Sequence, residues 1–172
     1  MNTEPVAAGR PLGPGSIAIP AAWRSYLVYA AWAQALAATA GSLYFSEIRD
    51  FVPCTLCWYQ RILMYPLVVI IAVGIVRRDS GIYWTVLPLS LLGAGIAIYH
   101  NLLQQGVISE GVLSCRFGVP CEAKWIEWLG FITIPMMSLT AFSVITVLMA
   151  IYASLAIKTT VRGDEDDEKS EA

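Results

Sequence analysis

A pair of cysteines at the head of a long apolar run is the part of this sequence best suited to chemistry. Cys54 and Cys57 are separated by two residues, and Arg61 follows one turn later. Pro53 suits a first helical position, so we predict both cysteines in the opening turns of a helix. The free N–H groups and dipole of a helix N-terminus favour thiolate. Residues three and four apart share a helical face, which places both sulfurs and the guanidinium on one stripe.

Arg61 lies one turn inside the apolar run, where an unpaired charge is costly. Snorkelling to lipid headgroups is one interpretation. Its position on the cysteine stripe favours another, in which the guanidinium stabilises a thiolate and the negative charge that develops on an electron acceptor. A quinone is the obvious two-electron acceptor that dissolves in a membrane. We therefore predict a junction between a dithiol and a quinone.

The composition is that of a membrane protein. Hydrophobic residues make up 57% of the 172 residues, charged residues make up 14%, and the mean hydropathy is +0.62. Four segments approach or exceed the roughly 20 residues that a membrane-spanning helix needs. They are approximately Tyr26–Tyr44, Trp58–Val76, Tyr83–Leu103 and Ile132–Ile157. The predicted fold is an all-α membrane protein, a bundle of four transmembrane helices.

Basic residues set the predicted topology. Arg77 and Arg78 lie in the turn after the second span, and seven of the eleven Lys and Arg residues fall on that side of the membrane. Both termini are therefore predicted to be cytoplasmic. Within the first span, Ala33, Ala37 and Gly41 recur every fourth residue, and we predict that they form a helix-packing face.

Three regions complete the predicted organisation. Residues 1–22 are rich in Pro, Gly and Ala and are expected to be a flexible cytoplasmic lead, residues 23–158 form the membrane domain, and residues 159–172 form an acidic cytoplasmic tail. The acidic run within that tail is predicted to be solvated and disordered. In the second outer loop, Trp125, Trp128 and Leu129 fall on one helical face, which predicts a short interfacial helix. Membrane lipid is an expected partner, and nucleic acid is not.

A second cysteine pair, Cys115 and Cys121, lies in the same outer loop. All four thiols therefore face the oxidising side of the membrane. Four cysteines allow three pairings, and the sequence does not choose among them. Structural disulfides and a zinc site on the four sulfurs are alternatives. The C-x-x-C spacing and its helix-start position favour redox-active thiols over both.

His100 is the only histidine in the chain and lies near the outer end of the third span. An interfacial histidine satisfied by water or a carbonyl is one interpretation. A histidine placed beside the dithiol is the other. The sequence leaves both open.

Together these motifs resemble the disulfide bond formation protein B family, DsbB, and its shorter Gram-positive form, BdbC. The resemblance covers approximately residues 24 to 157. It is carried by Cys54-x-x-Cys57-x-Tyr59-Gln60-Arg61, by His100 within residues 97–104, by Cys115 and Cys121, and by the run from Gly130 to Pro135. The short spacing between Cys115 and Cys121 matches the BdbC-like form.

The resemblance implies a thiol:quinone oxidoreductase in the plasma membrane of a bacterium. It would reoxidise an extracytoplasmic, thioredoxin-fold thiol oxidase of the DsbA or BdbD kind. Cys115 would form a mixed disulfide with this partner, and Cys121 would then exchange with Cys54. Cys57 would engage a menaquinone or ubiquinone, with Arg61 stabilising charge and His100 lining the quinone site. Each transfer is a thiol–disulfide exchange.

Two other functions fit parts of the sequence. A vitamin K epoxide or quinone reductase would use nearly the same chemistry, but in that family the C-x-x-C follows the partner-facing pair, the reverse of the order here. A non-enzymatic membrane scaffold would hold the cysteines as structural disulfides. An enzyme should lose activity on Cys57→Ser and keep its fold, whereas a scaffold should lose stability.

Overall fold

A computed structural model describes the backbone of residues 21–108 and 133–171 and the side chains of residues 23–108 and 133–158. Four α-helices make up most of its secondary structure. Their bounds are Ala21–Leu43 (α1), Thr55–Arg77 (α2), Tyr83–Gln104 (α3) and Ile134–Glu171 (α4), and a π-helical turn, Tyr44–Ile48, follows α1. No strand occurs in these ranges. Cys115, Cys121 and the predicted interfacial helix lie outside the described residues.

Three of the described helices are long and apolar enough to cross a membrane. They are Thr55–Arg77, Tyr83–Gln104 and the part of α4 from Ile134 to Lys158. α1 has a comparable length of 23 residues, but it is less apolar because it is rich in alanine and carries Arg24 and Gln34. The all-helical membrane fold is confirmed, while the crossing of α1 and the location of the termini stay predictions.

The helices pack as a bundle in which α1 and α3 each contact both α2 and α4. Two hydrogen bonds fix the antiparallel register of α1 and α2: Trp32 Nε1 donates to the Val68 carbonyl at 3.1 Å, and Arg61 Nη2 donates to the Ser42 carbonyl at 3.1 Å. Between the helices lies one apolar core, whose fully buried members include Leu67, Ile71, Val86, Phe142, Ile145 and Met149.

Two expectations from the sequence are corrected by the packing of the helices. The buried face of α1 carries Ala31 and Ala35, whereas Ala33 and Ala37 are exposed and no atom would contact a Cβ at Gly41. A stripe of small residues allows close packing but does not say whether a neighbour fills the space. The acidic run, which was predicted to be disordered, is instead a helical part of α4, which continues to Glu171. The apolar part of α4, Ile134–Lys158, agrees with the predicted fourth span. Extending a formed helix by good helix formers such as Glu and Lys is cheaper than starting a new one.

Candidate functional site

Cys54 caps the N-terminus of α2. Its backbone is extended, with φ −73° and ψ 170°, and its Sγ accepts a hydrogen bond from the Cys57 N–H at 3.4 Å. The predicted helix start at Pro53 is therefore two residues too early. The sulfur takes the role that a Ser or Asp oxygen has at other N-caps, and it satisfies one of the N–H groups that a helix start leaves free.

The two sulfurs of the motif lie together but face different surroundings. Both thiols are free, and their Sγ atoms are 2.8 Å apart. The Cys54 side chain is buried, with its Sγ 3.7 Å from His100 Nε2, and His100 is itself only 1% exposed. His100 thus lies beside the dithiol, and the interfacial interpretation does not hold.

Gln60 is a site residue that the sequence analysis did not single out. Its buried side-chain amide lies 3.4 Å from His100 Nδ1, on the opposite side of the ring from Cys54. An amide in this position fixes the ring orientation and the tautomer of a histidine. The available signal was its spacing, because a glutamine three residues after Cys57 in an apolar span shares a helical face with that cysteine.

The surroundings of Cys54 stabilise its thiolate. The hydrogen bond from the Cys57 thiol is the largest effect, His100 and the Cys57 N–H add to it, and burial opposes it. Together they lower the pKa of Cys54 from 9.0 to about 4. A hydrogen bond to the charged form of an acid favours that form. Cys54 is therefore the thiolate of the reduced pair.

A cavity of about 290 Å³ adjoins the dithiol at Cys57. Its walls come from α1, the segment between α1 and α2, α2 and α4, and most of the residues that line it are apolar. The residues from the predicted stripe are Cys57 and Arg61, and the small residues of its α1 wall include Ala37, Ala38 and Gly41. Such a cavity suits a largely apolar ligand with a few polar groups.

Arg61 is held at the edge of this cavity by contacts from two helices. Its guanidinium donates to the Ser42 carbonyl of α1 and lies over the Trp58 ring, 5.7 Å from the ring centroid. Within α1, Ser42 also accepts from the Tyr65 hydroxyl at 3.5 Å through its Oγ. These contacts leave Arg61 as a fixed cation beside Cys57 in the cavity wall.

The structure therefore brings together four of the predicted site residues in two groups. Cys57 and Arg61 line the cavity, whereas Cys54 and His100 contact each other and are not among its lining residues. Gln60 belongs to both groups, since it lines the cavity and contacts His100. The expected role of His100 as a wall of the acceptor site has no support in this arrangement.

Comparison with known proteins agrees with this site. The family profile of the disulfide bond formation protein DsbB matches residues 24–153. The chain belongs to the DsbB family. Disulfide bond formation protein C of Bacillus subtilis strain 168 is 49% identical over 128 residues, which are 74% of this chain and 93% of that protein.

Other relatives of this DsbB-family chain carry similar names. Probable disulfide formation protein C of Halalkalibacterium halodurans is 46% identical over 120 residues, 69% of this chain and 87% of its own. A probable disulfide formation protein of Deinococcus radiodurans is 43% identical over 136 residues, 74% of this chain and 88% of its own. No solved structure matches the chain significantly. Membership of this family assigns the protein a role in disulfide bond formation as a membrane oxidoreductase.

Proposed function

We propose that this DsbB-family protein is a thiol:quinone oxidoreductase. It reoxidises an extracytoplasmic, thioredoxin-fold thiol oxidase of the DsbA or BdbD kind and passes the electrons to a menaquinone or ubiquinone. The observation that carries the proposal is the position of Cys57, which belongs to the dithiol and also lines a cavity that has apolar walls and a cation, Arg61.

The residues around the cavity fit a quinone. Apolar side chains such as Met64, Met137 and Ala141 suit its ring and its isoprenoid tail. Gln60 and Arg61 offer hydrogen-bond donors to its carbonyl oxygens beside the sulfur of Cys57. A bound quinone supplies an acceptor for the two electrons and two protons that leave when a dithiol becomes a disulfide.

The cysteines would act in sequence. A thiolate of the partner attacks Cys115 of a Cys115–Cys121 disulfide, and Cys121 leaves as a thiolate. Cys121 then exchanges with Cys54 of the oxidised inner pair, which releases the thiolate of Cys57 into the cavity. Arg61 stabilises this thiolate, and His100 stabilises the sulfur of Cys54 whenever that residue is reduced. The second thiol of the partner then attacks the mixed disulfide, which gives the partner its disulfide and releases Cys115 as a thiolate. Cys115 attacks Cys121 and displaces Cys54, so the Cys115–Cys121 disulfide forms again and the two electrons remain on Cys54 and Cys57.

The topology proposed for this reaction has both termini in the cytoplasm and both cysteine pairs outside. The chain turns between α2 and α3 at Arg77 and Arg78, where a left-handed Arg78 ends α2 with φ 52°. Clustered arginines in a short loop are typical of the cytoplasmic side of bacterial membrane proteins. This orientation puts the N-terminus of α2, and with it the dithiol, at the outer surface.

The test is quinone reduction by the purified protein in the presence of a reduced thioredoxin-fold partner. We expect partner-dependent turnover in the wild type and none in Cys57→Ser, while the helical circular dichroism of the variant stays unchanged. Substitution of both Cys54 and Cys57 by serine should likewise leave the bundle folded, because helix packing in lipid holds it together. No turnover with either quinone, or unfolding of these variants, would favour structural disulfides instead.

A further inference from the structure

The reduced dithiol has a third potential ligand for a metal ion. Cys54 Sγ, Cys57 Sγ and a ring nitrogen of His100 all lie within 4.8 Å of one another. Two sulfurs and an imidazole are the donors that Zn²⁺ and similar thiophilic ions select, whereas Mg²⁺ and Ca²⁺ prefer oxygen. We infer that the reduced form of this site binds one thiophilic cation through Cys54, Cys57 and His100, and that the ion and the Cys54–Cys57 disulfide exclude each other.

The distances fit a tetrahedral ion after one small movement. Zinc bonds of about 2.3 Å to sulfur and 2.0–2.1 Å to nitrogen place a sulfur and a nitrogen about 3.6 Å apart in a tetrahedron. Cys54 Sγ and His100 Nε2 are already 3.7 Å apart. The two sulfurs are 2.8 Å apart and must separate by about 1 Å to reach the corresponding sulfur–sulfur distance. Cys57 has room for this movement because it lines the cavity.

Gln60 completes the surroundings that a metal-binding histidine requires. A histidine that binds through one ring nitrogen almost always hydrogen-bonds through the other. The Gln60 amide lies 3.4 Å from Nδ1 of His100. The Gln60 atom at this distance is the amide nitrogen, so the amide must turn over by half a turn to bring its oxygen to Nδ1–H. With the amide turned, the lone pair of His100 Nε2 is directed at the sulfurs.

Charge and burial favour a cation once the pair is reduced. Cys54 and His100 are 5% and 1% exposed, so two thiolates at this position would be poorly solvated. A divalent ion bound by both thiolates forms a neutral complex. Oxidation of the pair removes both sulfur ligands, so binding depends on redox state. The cavity beside Cys57 leaves the fourth coordination position open to water.

The test uses the full chain in detergent micelles with Cys115→Ser and Cys121→Ser throughout, so that Cys54 and Cys57 are the remaining thiols. Co²⁺ serves as the spectroscopic probe, and Zn²⁺ is then added to displace it. We expect one Co²⁺ per reduced chain with thiolate-to-metal charge-transfer absorption, and none after the pair is oxidised.

Four variants test which side chains bind the ion. Gln60→Leu removes the hydrogen bond to His100 and should weaken Co²⁺ binding roughly 10- to 100-fold. His100→Ala removes a ligand itself and should weaken binding by more than that. Asn101→Ala is the matched control, since the Asn101 side chain donates to the Ala97 carbonyl and should not change the affinity. Cys57→Ser provides a second ligand test at a position where serine nearly preserves the volume, and it should abolish the charge-transfer band.

Binding that is equal in the oxidised chain, or that survives both His100→Ala and Cys57→Ser, would overturn the inference. The assay needs neither quinone nor partner. A chain that binds Co²⁺ but reduces no quinone would contradict the proposed function alone, and a chain that reduces quinone but does not bind Co²⁺ would contradict the metal site alone.

Discussion

Two cysteines only three residues apart have unlike surroundings in this protein. Cys54 is buried against His100, whereas Cys57 lines an apolar cavity next to Arg61. This difference follows from the helix start, because the N-cap residue lies outside the helix and Cys57 lies inside its first turn. The sulfur of Cys54 thus lies where His100 affects its charge. The sulfur of Cys57 lies at the cavity in which the proposed electron acceptor would bind.

We predict that Arg61→Ala raises KM for quinone more than it raises KM for the partner. Loss of a hydrogen bond from a charged group costs about 1.5–3 kcal/mol, which corresponds to a rise of roughly tenfold or more in KM for quinone. KM for the partner should stay near the wild-type value. Steady-state kinetics with each substrate varied in turn measure both.

The control for Arg61 is Arg49→Ala, which removes a guanidinium that lies over the Phe51 ring and does not line the cavity. It should leave KM for quinone unchanged. Equal quinone dependence in the wild type and Arg61→Ala would return Arg61 to the snorkelling interpretation.

The thiolate of Cys54 provides a pH prediction. Its pKa lies at about 4, below the ordinary 9.0, so the charged form is present above that value and is lost as the pH falls through it. The ionisable side chains of the described residues that hydrogen-bond to it are Cys57 from α2 and His100 from α3. Thiolate absorbance of the reduced chain, with Cys115 and Cys121 replaced by serine, should therefore persist far below pH 7.

Replacement of the donor tests the cause of that pKa. Cys57→Ala removes the hydrogen bond with the largest effect and should move the loss of thiolate absorbance to higher pH. If the absorbance of the unsubstituted pair instead disappeared between pH 8 and 9, Cys54 would have the pKa of a free thiol.

At the scale of helices, the length of the apolar segments located all four helices but did not show which helices pack against each other. The described helices agree with the predicted spans to within a few residues at most ends. The role of the small residues in α1 was predicted wrongly, because a spacing of four places Ala37 and Gly41 on one face without saying whether that face meets a helix or a cavity. The contact between Arg61 and Ser42 also depends on the register of α1 against α2, which no local pattern specifies.

Gly41 allows the cavity to be filled without disturbing the chemistry. No atom lies within 4 Å of a Cβ built at this position, and Gly41 lines the cavity wall opposite α2. We predict that Gly41→Leu occupies part of the 290 Å³ and lowers quinone turnover at least about tenfold. Exchange between the cysteines and the reduced partner, measured in a single turnover without quinone, should be unaffected.

Gly95 supplies the matched control for Gly41→Leu. It also has open space around a Cβ, but it lies on α3 and is not among the residues that line the cavity. Gly95→Leu should leave turnover unchanged. A similar loss in both variants would point to a general effect of leucine on the helices.

In the whole molecule, the bundle depends on a close approach between α3 and α4. A Cβ at Gly93 would run into the ring of Phe142, which is completely buried and has no room to move. The sequence showed glycines in α3 but could not show which of them faces an aromatic ring. The sequence also did not distinguish between the two interpretations of His100. The contact between His100 and Cys54 joins residues 46 positions apart.

Gly93→Ala should therefore destabilise the fold. Overpacking a full core costs about 1–3 kcal/mol, which should lower the thermal midpoint of the protein in detergent. Gly95→Ala makes the same change where space is open and should stay within about 0.5 kcal/mol of the wild type. A midpoint for Gly93→Ala equal to that of Gly95→Ala would show that α3 and α4 can separate at little cost.

The small side chains of α1 have a consequence for how this protein can evolve. Ala37, Ala38 and Gly41 shape one wall of the cavity, while the cysteines and His100 belong to α2, its cap and α3. Exchanges among alanine, glycine and larger residues in α1 can therefore adapt the cavity to acceptors of different ring size while the sulfur chemistry stays intact. Under the proposed function, substitutions in this helix are one route by which the protein can change its electron acceptor without altering the residues that hold the sulfurs.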